Sequence, residues 1–168
     1  TIPVNEAFDE DCECPICFMR KSLENNSIDF VMGPSYMEDD VRAETDKTGF
    51  CSHHLNKLYE NQNRLGLALM LKTHMDKSIK EIEKLSSKKQ KISSPSLFKK
   101  TSTVSDLSSF IDKLHNSCYI CNMINRTFER YIVTIFNLYQ NNDDFRKKFS
   151  SSKGFCMDHY GLLYESSA

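Results

Sequence analysis

Apolar residues recur at helical intervals through most of the chain. Ile120, Ile124, Phe128, Tyr131, Ile135 and Leu138 follow one another at three or four residues, which predicts one face of an amphipathic helix. Ile16, Met19, Leu23 and Phe30 trace a weaker stripe with a gap at Ser27, broken by Gly33-Pro34. Short helices are expected over 37–45 and 143–149. A long one is expected to begin near Cys51 and run to about residue 85, with Leu65, Ala68, Leu69, Leu71, Met75, Ile79, Ile82 and Leu85 in helical rhythm. Gly66 is its weak point. Another should start near Asp106, with Phe110, Ile111 and Leu114 leading to Cys118. Alternating strand patterns are sparse, so the protein reads as mainly α.

A repeat is laid over this pattern. Cys14-Pro15-Ile16-Cys17 is followed by Gly49-Phe50-Cys51-Ser52-His53-His54, and Cys118-Tyr119-Ile120-Cys121 by Gly154-Phe155-Cys156-Met157-Asp158-His159. The offset is 37 residues from Cys14 to Cys51 and 38 from Cys118 to Cys156. Asp39-Asp40-Val41-Arg42 and Asp143-Asp144-Phe145-Arg146 lie 25 residues beyond Cys17 and Cys121, measured to the arginines. Apolar-Tyr endings follow each histidine, with Leu55, Leu58 and Tyr59 against Leu162, Leu163 and Tyr164. Duplication of one supersecondary unit accounts for all of this.

Three thiolates and one imidazole make a complete tetrahedral shell for zinc. The repeat leads one to expect two structural zinc ions per chain. One would be held by Cys14, Cys17, Cys51 and His54, the other by Cys118, Cys121, Cys156 and His159. Cysteine and histidine at i and i+3 share one face of a helical first turn. His53 aligns with Asp158, so His54 is the expected ligand and His53 a surface residue. His74 and His115 read as ordinary histidines. Cys12 suggests an iron–sulfur site only if read alone; its counterpart is Asn116, and it is left as a spare thiol.

Composition limits what else the chain can be. Apolar residues make up 39% and the mean hydropathy is −0.51, so the core is modest and metal ions would add needed stability. A structural zinc site contributes on the order of 10–16 kcal/mol. Net charge is −1, which gives no global basic field for nucleic acid. No apolar run is long enough to span a bilayer. Thr1-Ile2-Pro3-Val4-Asn5-Glu6 lacks the basic and apolar regions of a signal peptide, and Cys/His ligand spacing argues against secreted disulfides. A cytoplasmic protein is expected. Its native chain is expected to extend beyond both ends.

The remaining candidates have plain readings. Asp39-Asp40 and Asp143-Asp144 suit the first turn of a helix better than acid/base catalysis. Arg42 and Arg146 can pair with those acids or tie the spacer to the cysteines. Phe128, Tyr131, Phe136 and Tyr139 sit at helical spacing and are expected in the core. Lys88-Lys89-Gln90-Lys91 and Lys99-Lys100 fall in a Ser/Lys-rich stretch that contains Pro95. That stretch reads as a flexible linker rather than a nucleic-acid site.

The chain resembles a bacterial family of unknown function. The segments that carry the resemblance are Ile2-Pro3-Val4-Asn5-Glu6-Ala7-Phe8, Cys12 to Cys17, Gly33-Pro34-Ser35-Tyr36-Met37 through Arg42, Gly49-Phe50-Cys51, Asn63-Arg64-Leu65-Gly66-Leu67-Ala68 and the second pair of cysteine motifs. It supports the fold and names no substrate. The expected architecture is thus two pseudo-repeated helical zinc-binding units, 1–85 and 110–168, joined by a long helix and a linker over 86–109 within one compact domain. A non-enzymatic module for a protein or peptide partner is the expected role, with homodimerisation through the Leu65–Met75 helix as a further option. The rivals are a metalloenzyme with a zinc-centred pocket and a thiol redox sensor with metal-free Cys-x-x-Cys pairs.

Overall fold

The computed structural model describes residues 1–89 and 105–167, which form helices and connecting turns with no strand among them. The helices are α1 (Ile2–Asp9), α2 (Pro15–Met32), α3 (Asp39–Thr48), α4 (Ser52–Glu60), α5 (Arg64–Lys89), α6 (Asp106–His115), α7 (Tyr119–Asn141), α8 (Asp143–Ser151) and α9 (Met157–Ser166). A 3-10 turn spans Pro34–Met37. The mainly helical expectation holds. Residues 86–89 extend α5 and 106–109 belong to α6, while the rest of the expected linker, with Lys91, Pro95, Lys99 and Lys100, lies outside the described residues.

Two compact units emerge, one from residues 1–27 and 122–168, the other from 28–121. These are not the two sequence repeats. Each unit takes its Cys-x-x-Cys from one repeat and its Gly-Phe-Cys-x-x-His from the other. The long helices α2 and α7 each begin in one unit and end in the other.

In the unit of 1–27 and 122–168, α1 packs on α8 through aromatic side chains. The Phe8 ring meets Phe145 edge-on at 4.9 Å and stacks on Phe149 at 5.6 Å. Phe149 also contacts Phe155 at 5.2 Å and Tyr139 at 5.0 Å. Asn142 caps α8 by accepting from the Phe145 N–H at 2.9 Å, and Asp143 and Asp144 occupy its first turn, where the helix dipole favours acids. The face of α7 differs slightly from the expected one. Ile124, Phe128, Ile132 and Ile135 are buried, so Ile132 takes the inward place expected of Tyr131, whose phenol keeps its partial exposure. On α2, Ser27 fills the gap in the stripe. It is buried, and its hydroxyl donates to the Leu23 carbonyl at 2.7 Å.

In the unit of 28–121, α3 lies along α5. Arg42 donates to the Leu69 carbonyl at 2.9 Å and to Thr73 Oγ1 at 2.6 Å, and Thr73 in turn donates to Asp46 at 2.6 Å. The helix expected to run unbroken from Cys51 is interrupted. Asn61 leaves α4 in extended conformation, and Asn63 accepts from the Gly66 N–H at 3.0 Å, capping a new helix. The apolar rhythm of α5 divides between two faces. Leu67 and Met70 are buried, whereas Leu65, Leu69, Met75 and Ile79 are exposed, as is Phe30 on α2. No helix among the described residues is long and apolar enough to cross a membrane.

Candidate metal centres

Each cysteine motif stands at a helix start. Cys14 and Cys118 immediately precede α2 and α7, which places Cys17 and Cys121 one turn in. Cys51 and Cys156 occupy the N-cap positions of α4 and α9, so His54 and His159 return to them after one turn. The turn before each N-cap is made by a glycine with positive φ, 58° at Gly49 and 113° at Gly154, a region that L side chains rarely enter.

The fold gathers the eight residues into two sets: Cys14, Cys17, Cys156 and His159 in one unit, and Cys51, His54, Cys118 and Cys121 in the other. Within each set the donor atoms lie within 4.8 Å of one another. This corrects the expected pairing of Cys14 and Cys17 with Cys51 and His54, and of Cys118 and Cys121 with Cys156 and His159. Proximity in sequence is a weak guide here. Closing a loop of well over a hundred residues rather than one under forty costs only about 1 kcal/mol more, far less than a shared metal or a packed core can supply.

The geometry inside each set is that of a coordination shell. His159 Nδ1 lies 3.5 Å from Cys14 Sγ, 3.2 Å from Cys17 Sγ and 3.2 Å from Cys156 Sγ. His54 Nδ1 lies 3.3 Å from Cys51 Sγ, 3.4 Å from Cys118 Sγ and 3.3 Å from Cys121 Sγ. The sulfur pairs Cys17–Cys156 and Cys51–Cys121 are 3.7 and 3.9 Å apart. A tetrahedral zinc shell has edges of about 3.8 Å between sulfurs and about 3.6 Å between sulfur and nitrogen. A disulfide brings sulfurs to about 2.05 Å, and all seven cysteines are free thiols. Both sets can therefore hold a metal ion.

Electrostatics within each set split the thiols. Burial and the neighbouring sulfurs Cys156 and Cys14 push Cys17 up to about 12. Burial and the charges of Cys118 and Cys51 do the same to Cys121, also to about 12. Burial opposes ionisation of Cys14 and Cys51 too, but hydrogen bonds from nearby backbone and thiol groups outweigh it and hold both below the ordinary thiol value. Three thiolates cannot crowd together without a cation among them, which is the charge that a divalent metal supplies. Burial, followed by the charge of Arg20, lowers the His159 pKa, with Asp158 opposing; this favours the neutral imidazole that binds metal.

Other candidates fall outside the sets. Cys12 is half-buried and His115 exposed. His53 is exposed, as expected. His74 has a supporting role that sequence reading missed. Its Nδ1 lies 3.0 Å from the Asp46 carbonyl, and its ring covers Gly49 so closely that an added Cβ would sit 2.5 Å from Nε2. Arg146 pairs with Asp143 at 2.8 Å and also donates to the Tyr139 and Gln140 carbonyls, closing the end of α7. Arg42, by contrast, reaches α5 rather than the acids beside it.

The fold and these two Cys3His sets define an all-helical protein with two candidate metal centres. The chain belongs to a family of unknown function (DUF6062), whose model matches residues 1–168. Neither a curated protein nor a solved structure matches it.

Proposed function

We propose that the protein is a zinc-stabilised helical scaffold for a protein or peptide partner, with one structural zinc in each unit. The single observation that carries the metal reading is the pair of four-donor sets, each with its donor atoms within 4.8 Å of one another and a sulfur–sulfur separation of 3.7 or 3.9 Å, close to a tetrahedral zinc edge. Zinc suits a mixed thiolate and imidazole shell, and four protein donors leave no place for a reacting water. When bound, zinc supplies charge neutralisation and cross-links helix starts that are far apart in sequence. A metalloenzyme would need one of those donors displaced.

Support for the partner-binding role comes from α5. Leu65, Leu69, Met75 and Ile79 are exposed along one side of the helix, with the Lys72–Asp76 ion pair among them. Such a stripe is more apolar than a solvated helix face needs to be. The same stripe suits a second copy of the chain, which sedimentation at increasing concentration would reveal.

The test is elemental analysis of the reduced protein combined with pairwise substitution. Two zinc ions per chain are expected. C14S and C156S should each remove the same ion, so their double variant keeps one, whereas C14S/C51S should lose both. A metal-free protein would sink the reading. A C14S/C51S variant that keeps one ion would restore the pairing along the repeats.

A further inference from the structure

We infer that Cys17 and Cys156 form an oxidation-sensitive site through which the unit of 1–27 and 122–168 releases its zinc, while the other centre keeps its own. The inference rests on the zinc reading above and goes beyond it. Both thiols are exposed, and their sulfurs lie 3.7 Å apart. In the other set no cysteine is exposed. Cys118 and His54 are 3% and 4% accessible, and Cys51 and Cys121 are half-buried. Oxidation of thiols follows thiolate character and access together. Zinc keeps the sulfurs of both centres in thiolate form, so access is what separates them.

The turns behind the two centres differ in the same direction. Tyr119 N–H donates to the Gly49 carbonyl at 3.0 Å, and Ser117 donates to the Thr48 carbonyl at 2.7 Å. These bonds hold the Cys118 and Cys51 segments together whether or not a metal lies between them. The position equivalent to Tyr119 is Pro15, which has no N–H to donate. Around Cys14 and Cys156 the link is instead an exposed ion pair of Lys153 with Asp11 at 2.6 Å. Both the reagent and the departing ion therefore have a way through at that centre.

The oxidant is a peroxide. The Cys17 thiolate attacks a peroxide oxygen, becoming a sulfenic acid and releasing hydroxide. The Cys156 thiolate then displaces hydroxide from the Cys17 sulfur to form the disulfide. Two thiolates, hydrogen peroxide and two protons thus give one disulfide and two waters. The sulfurs lose two electrons, peroxide gains them, and the zinc leaves unchanged in oxidation state as Cys14 takes up a proton.

Hydrogen peroxide added to the zinc-loaded protein, with a chromogenic chelator reporting free zinc, tests this. One ion should appear about tenfold faster than the second. Peptide mapping without reduction should find Cys17 joined to Cys156, and dithiothreitol with zinc should restore both ions. C12S should release the first ion at the unaltered rate. Equal release of both ions, a first disulfide between Cys51 and Cys121, or a slowed release in C12S would each overturn the inference while leaving two structural zinc ions in place. A protein that binds no zinc would instead fail the earlier reading.

Discussion

The two candidate centres are built from the same motifs and closed in different ways. Around Cys51, His54, Cys118 and Cys121 the backbone is tied by Tyr119 to Gly49 and by Ser117 to Thr48, and the imidazole of His74 lies against the glycine. Around Cys14, Cys17, Cys156 and His159 a proline removes the first bond, charged residues replace the second, and nothing lies within 4 Å of where a Cβ on Gly154 would point. The two copies of the motif share their ligand residues but not the supports around them. The difference separates what a metal must do in each unit. One unit backs its centre with hydrogen bonds and burial. The other compensates with an aromatic cluster formed by Phe8, Phe145, Phe149 and Phe155.

Metal removal gives the largest expected effect. A structural zinc contributes on the order of 10–16 kcal/mol, comparable with the whole stability of a domain. A strong chelator should abolish most of the helical circular dichroism. Single substitutions should split that loss. C118S should cost the unit of 28–121 its ion but less helicity than C17S costs the other, because the Tyr119–Gly49 and Ser117–Thr48 bonds hold the Cys118 centre together without a metal. Equal losses, read by circular dichroism alongside zinc content, would contradict the contrast.

The phenylalanine cluster is tested next. Phe145 is fully buried against Phe8, and F145A should destabilise its unit by about 3–5 kcal/mol, read by denaturant unfolding. The zinc of the other centre should remain bound. Loss of both ions would mean that the two units do not hold their metals independently.

Glycine substitutions sharpen the comparison at smaller scale. G154A meets only the strain of positive φ, about 1–2 kcal/mol. G49A carries that strain and also drives a methyl into His74, so its loss should be the greater. H74A/G49A should recover part of the difference in melting temperature. No recovery would remove His74 as the support of that turn.

Much of this architecture is legible in the chain, and the illegible part has a physical reason. Helical periodicity places α7 and the breaks at Gly33-Pro34, and the doubled spacing identifies the eight candidate ligands without indicating how they combine. Pairing depends on which helices pack together, and the small difference in loop-closure entropy leaves no trace in local sequence. On α5 the rhythm alone does not say which side is covered, because exposed Leu65, Leu69, Met75 and Ile79 keep a helical period as good as that of buried Leu67 and Met70. Periodicity reports a stripe and not whether anything covers it. His74 is invisible for a similar reason, since a glycine's close neighbour is chosen by tertiary packing. Pro15 against Tyr119, however, can be read directly once the repeats are aligned.

The smallest effects lie in the links beside the cysteines. S117A removes one hydrogen bond to a backbone carbonyl and should cost about 0.5–1.5 kcal/mol, independent of salt. The Lys153–Asp11 pair is exposed and screened, so K153M should cost less, and its effect should vanish in high salt. The pair's pH window follows from its two shifts. A hydrogen bond from Lys153 holds the Asp11 pKa below its ordinary value, so this contribution is present above the unfolded pKa and fades as pH falls through the folded one. Asp11 raises the Lys153 pKa in return, so the contribution is present below the unfolded lysine pKa and is lost as pH rises through the folded one. Between those limits, wild type and K153M should differ at low salt and converge as salt is added. A K153M loss larger than that of S117A, or one that persists in high salt, would mean that the ion pair is as firm a brace as the buried-side hydrogen bonds, and the contrast between the centres would then rest on exposure alone.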